Sequence, residues 1–203
     1  MPLQGPMSRT SRSAKILLNV FAFVIAGLAV GYLTVEMAVT RGFSPIIQKA
    51  GPWVVWPHAA SVDADPYTRA HFASFGKLGL LPFEALEYRT EKDSSGALLD
   101  QSCTYVLTGL PLSGRWWNIA AYEDDRRLIA NPADRHSFNS ENIIREQDGS
   151  FRITLSSQPH PGNWLPLGPG GAFRLILTIA DPPGHYRNDP TNVLVPQIER
   201  RSC

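Results

Sequence analysis

The stretch "AFRLILTIA", residues 172–180, carries an apolar residue at every second position. These residues are Phe173, Leu175, Leu177 and Ile179. Successive side chains of a β-strand point to opposite faces, so all four would lie on the same face. The pattern predicts a strand with one fully buried face, ended by "DPPG" at 181–184.

Further segments with the same two-residue period lie on either side of this strand. The segments "FEALEYRTE" (83–91) and "LLDQSCTYVLTG" (98–109), joined by a turn at 94–96, predict one hairpin. A second hairpin is predicted in "ENIIREQDGSFRITLSSQ" (141–158), with its tip at Asp148-Gly149. A separate strand is expected at 114–123, and the tail at 192–203 could add an edge strand.

One helix is predicted ahead of these strands, over residues 63–77. Asp63 or Asp65 can cap it, and Pro66 suits its first turn. Short strands separated by turns, with one helix before them, predict a mainly β protein. We expect an antiparallel β-sandwich with a short helical preface.

The segment 16–35, "ILLNVFAFVIAGLAVGYLTV", contains no charged residue, and as a helix it would match the thickness of a bilayer core. Arg9, Arg12 and Lys15 precede it, whereas the first acidic residue, Glu36, follows it. This asymmetry predicts a cytoplasmic N-terminus and an exported C-terminal part. A cleaved signal peptide is the alternative, although its apolar region is usually shorter.

The expected organisation is therefore a cytoplasmic N-terminus (1–15), a transmembrane helix (16–35), a linker (36–61) and an exported domain (62–203). Only the anchor and a short lead-in would precede the domain. Trp53 and Trp56 could lie at the membrane interface or pack on the domain. The small residues Gly27 and Gly31 could pack two anchors together, although a single such pair is a weak signal.

The two cysteines, Cys103 and Cys203, both follow the apolar segment. A compartment outside the cytoplasm permits disulfides, so an intramolecular Cys103–Cys203 bridge is expected. The alternative is one buried thiol and one exposed thiol.

The loop "HPGNWLPLGPGG" (160–171) is dense in glycine and proline, which fix an irregular backbone. Trp164 could stack on a sugar or an apolar ligand that Asn163 orients. Alternatively, Trp164 and Leu165 form a plug on the core, which we favour because large rings are usually buried.

A polar cluster is present in residues 121–141, "AYEDDRRLIANPADRHSFNSE". Its candidate functional side chains are those of Tyr122, Glu123, Asp124, Asp125, Arg135, His136, Ser137 and Asn139. His136 could serve as a base beside Ser137, and Glu123 could form an acid/base pair with Asp124. However, adjacent residues of a strand point to opposite faces, so a solvated turn is the simpler interpretation.

Several classes of function are disfavoured by composition. A net charge of +1 argues against a nucleic-acid binder that neutralises phosphates. The histidines show no pair at short ligand spacing and no Cys-x-x-Cys motif is present, so no metal or cofactor is expected. At 43% hydrophobic and 18% charged residues, the chain is too apolar to be disordered.

Four motifs occur together in this chain: "DPYTRA" (65–70), the stretch 114–138, "REQDGSFRITL" (145–155) and "GNWLP" (162–166) followed by "FRLILTI". This combination resembles the bacterial domain-of-unknown-function family 1214. The resemblance covers residues 65–198. It implies a jelly-roll β-sandwich and no settled activity. Members of this family are often attached to a companion, family 1254, so a role that needs the companion would require another chain here.

Three hypotheses follow for this expected protein of the bacterial inner membrane. The first is a periplasmic domain that binds an envelope protein, a small molecule or a carbohydrate. Its candidate ligand-binding residues are Arg115, Trp117, Tyr122, Arg135, His136, Asn163 and Trp164, with Arg115 and Trp117 forming an outward pair if Trp116 faces the core. The second is a hydrolase, with glycosidic bonds as its candidate substrate, that uses Glu123 or Glu141 with His136. The third is a scaffold that dimerises through a sheet edge or through its anchor.

Overall fold

The computed structural model describes residues 12–124 and 126–203. The chain divides into two compact units, Met1–Gly42 and Phe43–Cys203.

The first unit contains the helix α1, Arg12–Arg41, which has 30 residues. At 1.5 Å per residue its length is about 45 Å. The uncharged segment 16–35 lies inside it, and α1 is long and apolar enough to cross a membrane. The predicted helix is thereby confirmed, with extensions at both ends.

The second unit contains ten strands and three short helical segments within the described residues. Its elements are β1 (Gln48–Ala50), β2 (Trp53–Val55), α2 (Pro66–Ser74), β3 (Ala85–Thr90), β4 (Thr104–Gly109), β5 (Trp116–Glu123), β6 (Ser137–Asn139), β7 (Phe151–Ser156), β8 (Trp164–Pro166), β9 (Phe173–Ala180), α3 (Gly184–Asn188), a 3₁₀ turn (Pro190–Asn192) and β10 (Gln197–Ser202).

The strands form two sheets, which confirms the mainly β class. The six-stranded sheet has the order β1-β2-β3-β9-β5-β6, and the four-stranded sheet has the order β10-β4-β7-β8. The strand β8 pairs with β7 in parallel, which corrects the fully antiparallel prediction. The jelly-roll topology stays a prediction.

The two sheets pack against each other through aromatic side chains. Trp117 of β5 stacks on Phe151 of β7, with ring centroids 4.9 Å apart. Tyr105 of β4 meets Phe173 of β9 edge to face at 5.8 Å. Side chains from both sheets belong to one buried core, so the arrangement is a sandwich.

The strand β9 lies inside the six-stranded sheet, between β3 and β5. Its predicted apolar face is confirmed, since each of its four core-facing side chains is at most 2% exposed. The two-residue period therefore identified both the strand and its buried face.

The range 36–61, which was predicted to be a linker, contains two strands. The short strands β1 and β2 lie within that range and pair with each other, and β2 pairs with β3. Pro45, Pro52 and Pro57 flank these strands and do not interrupt them. Trp53 is fully buried, and its Nε1 donates to the Pro196 carbonyl at 2.8 Å, so it packs on the domain.

The first predicted hairpin is confirmed only beside its turn, where Lys92 bridges Leu98 and Leu99 N donates to the Glu91 carbonyl at 2.9 Å. The expected turn exists, since Asp93 N donates to the Ala97 carbonyl at 2.9 Å. However, β3 and β4 belong to different sheets. A second turn, in which the Asp100 carboxylate accepts from Ser102 N at 2.8 Å, separates the turn at 93–97 from β4. Alternation identified the strands, but it carried no information about their partners.

The second predicted hairpin is half confirmed. Its turn is present, with Gly149 at φ +80° and Glu146 N donating to the Ser150 carbonyl at 2.8 Å. The first arm forms only an isolated bridge from Arg145 to Phe151. The backbone N–H and C=O of Ile144 are instead bound by the side-chain amide of Asn163, which replaces the ladder of a second strand.

The tail forms the predicted edge strand, β10, beside β4. Next to it, Cys103 and Cys203 form the expected disulfide, across 100 residues of sequence.

The helix α2 starts at Pro66 and lies within the predicted range 63–77. Of the two predicted caps, Asp65 is the one used, since its Oδ1 accepts from Tyr67 N at 2.9 Å and from Thr68 N at 3.0 Å. These bonds satisfy donors that a helix N-terminus leaves free.

Candidate functional site

The six-stranded sheet has an outer face, which points away from the core. Strand alternation gives this face Glu87 and Arg89 from β3, Arg174 and Ile176 from β9, and Tyr122 from β5. The register places Arg89 opposite Ile176, and Arg174 opposite Tyr122. Charged, aromatic and apolar side chains are therefore adjacent on three neighbouring strands.

A stack of rings, here called the aromatic column, is built on α2. Trp56 stacks on His71 with centroids 4.1 Å apart, and His71 lies 4.3 Å from Phe75. The column ends in Arg126, whose Cζ lies 3.9 Å from the Phe75 centroid. His71 and Phe75 meet because residues four apart are neighbours on a helix surface.

Between α2 and the outer face lies a cavity, here called the α2 cleft, with about 940 Å³ of space, part of it open to solvent. Its aromatic and apolar lining comprises Trp56, Phe72, Phe75, Leu78, Leu80, Ile176 and neighbouring side chains. Its charged lining comprises Lys77, Glu87, Arg89, Arg126 and Arg174. An apolar cavity with a few convergent polar groups is typical of a small-molecule site.

Arg174 is the most buried cation of the cleft, with 8% of the residue exposed. Its Nη2 pairs with Asp124 Oδ1 at 2.5 Å and lies 3.8 Å from Glu91 Oε1. Its Nε is buried and has no hydrogen-bond partner among the described residues. Such a donor is costly to bury without an acceptor.

Two further ionisable groups of the cleft are perturbed by their surroundings. Burial lowers the pKa of Arg89; the positive charge of Arg174 acts in the same direction, whereas the carboxylate of Glu91 opposes it. Burial also raises the pKa of Tyr122, with a smaller contribution from Glu87. Both shifts follow from a partly desolvated site that brings like charges together.

Tyr122 also borders a second depression, here called the His136 groove, with about 920 Å³ of space that is largely open. Three residues that the sequence predicted as ligand-binding, Tyr122, Arg135 and His136, line this groove together, as does Ser137. The structure thus brings part of the predicted set into one place.

The groove side chains are already bonded to the fold. His136 Nδ1 lies 3.0 Å from the Ile129 carbonyl, and its Nε2 lies 3.1 Å from Asp134 Oδ1. Arg135 Nη1 donates to the Trp164 carbonyl at 3.2 Å. These contacts hold the side chains to the loop and its neighbours, as the interpretation of this segment as a solvated turn expected.

The carboxylates of the hydrolase hypothesis lie elsewhere. Neither Glu123 nor Glu141 lines the His136 groove. Glu123 instead pairs with Arg127 at 3.7 Å, and Asp124 pairs with Arg174. Asp125, the remaining acid of the cluster, lies outside the described residues.

The outward pair of Arg115 and Trp117 is not formed, so that prediction is wrong. Trp117 is 2% exposed and faces the core, whereas Arg115 is exposed. The alternation of β5 was correct, but Trp116, not Trp117, occupies the outer face. In this strand the core-facing positions are the odd-numbered ones.

The loop at 160–171 matches the predicted plug in part, since Leu165 is fully buried whereas Trp164 is half-buried. Asn163 is 8% exposed; its Oδ1 accepts from Ile144 N at 2.8 Å, and its Nδ2 donates to the Ile144 and Arg152 carbonyls. Trp164 Nε1 donates to the Ser156 carbonyl at 3.1 Å. The polar groups suggested for ligand binding are therefore bonded within the fold.

Sequence reasoning missed the α2 cleft, whose side chains come from four separate segments. Two signals were present. Aromatic side chains at 71 and 75 are spaced to share a helix face, and Arg174 is the one charged residue of its strand. Neither signal shows that the two segments meet.

Comparison with known proteins bears on this fold. Residues 84–184 match the family model described as Protein of unknown function (DUF1214). The chain belongs to the DUF1214 family. The match confirms the resemblance stated above. The segment shared with DUF1214 contains Arg89, Tyr122 and Arg174, whereas α2 precedes it.

Two solved structures are similar to this DUF1214 chain. The crystal structure of the VPA0106 protein from Vibrio parahaemolyticus is 21% identical with a TM-score of 0.62, and the match covers 96% of this chain and 47% of that one. The chain thus spans about half the length of that protein, and the likeness concerns the fold alone. An uncharacterised protein from Burkholderia cenocepacia matches at 18% identity and a TM-score of 0.39, over 58% of this chain and 29% of that one. A search of the curated proteins found no match.

Proposed function

We propose that this DUF1214 chain is a single-pass inner-membrane protein whose periplasmic domain binds a small molecule in the α2 cleft. Three features support the membrane part of the proposal. The helix α1 is long and apolar enough to span a bilayer, cations precede its apolar segment, and the domain contains a disulfide. Disulfides persist mainly outside the cytoplasm.

The observation that carries the binding function is the composition of the cleft. Its wall is a continuous ring stack, and its floor presents the buried Arg174 beside Ile176. An apolar body can lie against the rings, while polar groups on the floor fix its orientation. This cleft replaces the outward Arg115/Trp117 surface as the place where a ligand would bind.

The two alternative functions receive less support. A hydrolase would need Glu123 or Glu141 beside His136, and neither carboxylate lines that groove. Dimerisation through Gly27 and Gly31 or through a sheet edge stays a prediction, which blue-native electrophoresis of the full chain and an anchor-deleted chain would test.

The proposed topology predicts the behaviour of reporters fused after Cys203. Alkaline phosphatase, which needs its disulfides, should be active there, and a fluorescent reporter that matures only in the cytoplasm should stay dark. Enzyme activity and fluorescence of cells that express each fusion are the measurements. The opposite pattern would remove the periplasmic assignment.

Ligand binding in the cleft predicts site-specific photolabelling. Octanol with a diazirine on its chain, added to the full chain in nanodiscs, should label peptides that contain Trp56, Phe72 or Phe75. Ile176→Trp places a large ring in the cleft and should reduce this labelling at least tenfold. Mass spectrometry of the digested protein measures the yield.

A matched control for this experiment is Thr178→Trp. Thr178 lies on the same strand and the same outer face, two residues further along, but it does not line the cleft. Labelling should persist in this variant. Equal labelling of the wild-type protein and of Ile176→Trp would count against binding in the cleft.

A further inference from the structure

The α2 cleft has more positive than negative charge in its lining. Four cations line it, namely Lys77, Arg89, Arg126 and Arg174, whereas Glu87 is the one carboxylate among the lining residues that the structure describes. Lys77 Nζ pairs with Glu87 Oε1 at 2.7 Å, so these two charges cancel. Three guanidinium groups remain.

Two carboxylates beside the cleft pair with these groups. Asp124 binds Arg174, and Glu91 lies 3.8 Å from Arg174 and 4.0 Å from Arg89. Neither carboxylate lines the cleft, and their side chains are 78% and 46% exposed. The lining that the structure describes is therefore richer in guanidinium groups than in carboxylates.

The geometry of Arg126 is consistent with a positioned cation. Its φ is +73°, in the left-handed region that residues other than glycine seldom adopt. Its backbone N donates to the Glu123 carbonyl at 3.0 Å. Its guanidinium lies over the Phe75 ring. Strained backbone of this kind is often found at ligand sites.

The buried Nε of Arg174 is a donor that a bound anion could satisfy. A guanidinium presents five donors in a planar fork, and carboxylate or phosphate oxygens match that fork. Bonds between such ionised partners are about twice as strong as neutral ones.

The cleft also offers an apolar path to solvent. Leu78 is 92% exposed and Leu80 is 45% exposed, and both belong to its lining. Together with the aromatic column, they provide a surface for a hydrocarbon or aromatic body that has one end near solvent.

We propose that the α2 cleft binds an anionic amphiphile, with a carboxylate or phosphate headgroup among Arg89, Arg126 and Arg174 and an apolar body along the aromatic column. This inference rests on the proposed function and adds the ligand class to it.

The test compares four photoreactive probes that share one eight-carbon diazirine chain and differ in headgroup: carboxylate, phosphate, alcohol and ammonium. Each is added to the full chain in zwitterionic nanodiscs, and labelling of the peptides that contain Trp56, Phe72 or Phe75 is measured. The carboxylate or the phosphate should label at least ten times more than the alcohol, and the ammonium should label least. Whichever anion labels more identifies the preferred headgroup.

Two variants show whether the guanidinium groups cause this preference. Arg174→Gln should reduce the ratio of anion to alcohol labelling to below threefold. Arg126→Gln changes an exposed residue and should lower the same ratio without unfolding the domain. Arg127→Gln is the matched control, because this neighbouring arginine does not line the cleft, and the ratio should be unchanged.

The outcomes separate this inference from the proposed function. Equal labelling by the anions and the alcohol would overturn the ligand class and leave binding in the cleft intact. Stronger labelling by the ammonium probe than by the anionic probes would mean that the cleft prefers a cation, and would overturn the proposed anionic headgroup. No labelling by any probe would overturn both proposals.

Discussion

Breaking the Cys103–Cys203 disulfide should lower the free energy of unfolding by about 4 kcal/mol. The bridge closes a loop across 100 residues of sequence, and restricting the unfolded chain over such a loop is worth up to roughly 4.7 kcal/mol. It also holds β10 to the sheet edge, where one neighbour, β4, pairs with it. Urea denaturation of the full chain in detergent, with and without reductant, measures the loss.

The matched control is Cys203→Ser, which removes the exposed partner and leaves the buried Cys103 in place. This variant should show the same loss as the reduced wild-type protein, and reductant should not destabilise it further. If reduction leaves the wild-type denaturation midpoint unchanged, the bridge does not contribute to stability.

Replacing Trp117 with alanine should cost about 3–5 kcal/mol, the usual range for deleting a buried aromatic ring. Trp117 is 2% exposed and stacks on Phe151, so its removal leaves a cavity where the two sheets meet. The same urea titration, followed by circular dichroism, gives the value.

The neighbouring residue supplies the comparison. Trp116 is half-buried on the outer face, and Trp116→Ala should cost about 1 kcal/mol, a typical value for a single substitution. A larger cost for Trp116 than for Trp117 would mean that the faces of β5 are assigned the wrong way round.

Local sequence pattern predicted most strands because the burial of alternate side chains is a local property. The strand β9 was predicted with its correct buried face, and the turn at Asp148-Gly149 was confirmed. The pairing of strands was predicted less well, as the separation of β3 from β4 shows. Partners are chosen by contacts between distant segments, which a two-residue period does not encode.

The candidate site also shows that local features were predicted better than contacts between distant segments. Tyr122, Arg135 and His136 were predicted together because they are close in sequence, and the structure places them around one groove. The α2 cleft instead combines Phe75 with Arg174, about a hundred residues away. Its electrostatics depend on burial and on ion pairs that form only after folding, so composition did not reveal them.

The hydrogen bond between the Trp53 indole and the Pro196 carbonyl joins an early segment of the domain to a late one. This bond therefore fastens the segment that enters β10 of the four-stranded sheet to β2 of the six-stranded sheet.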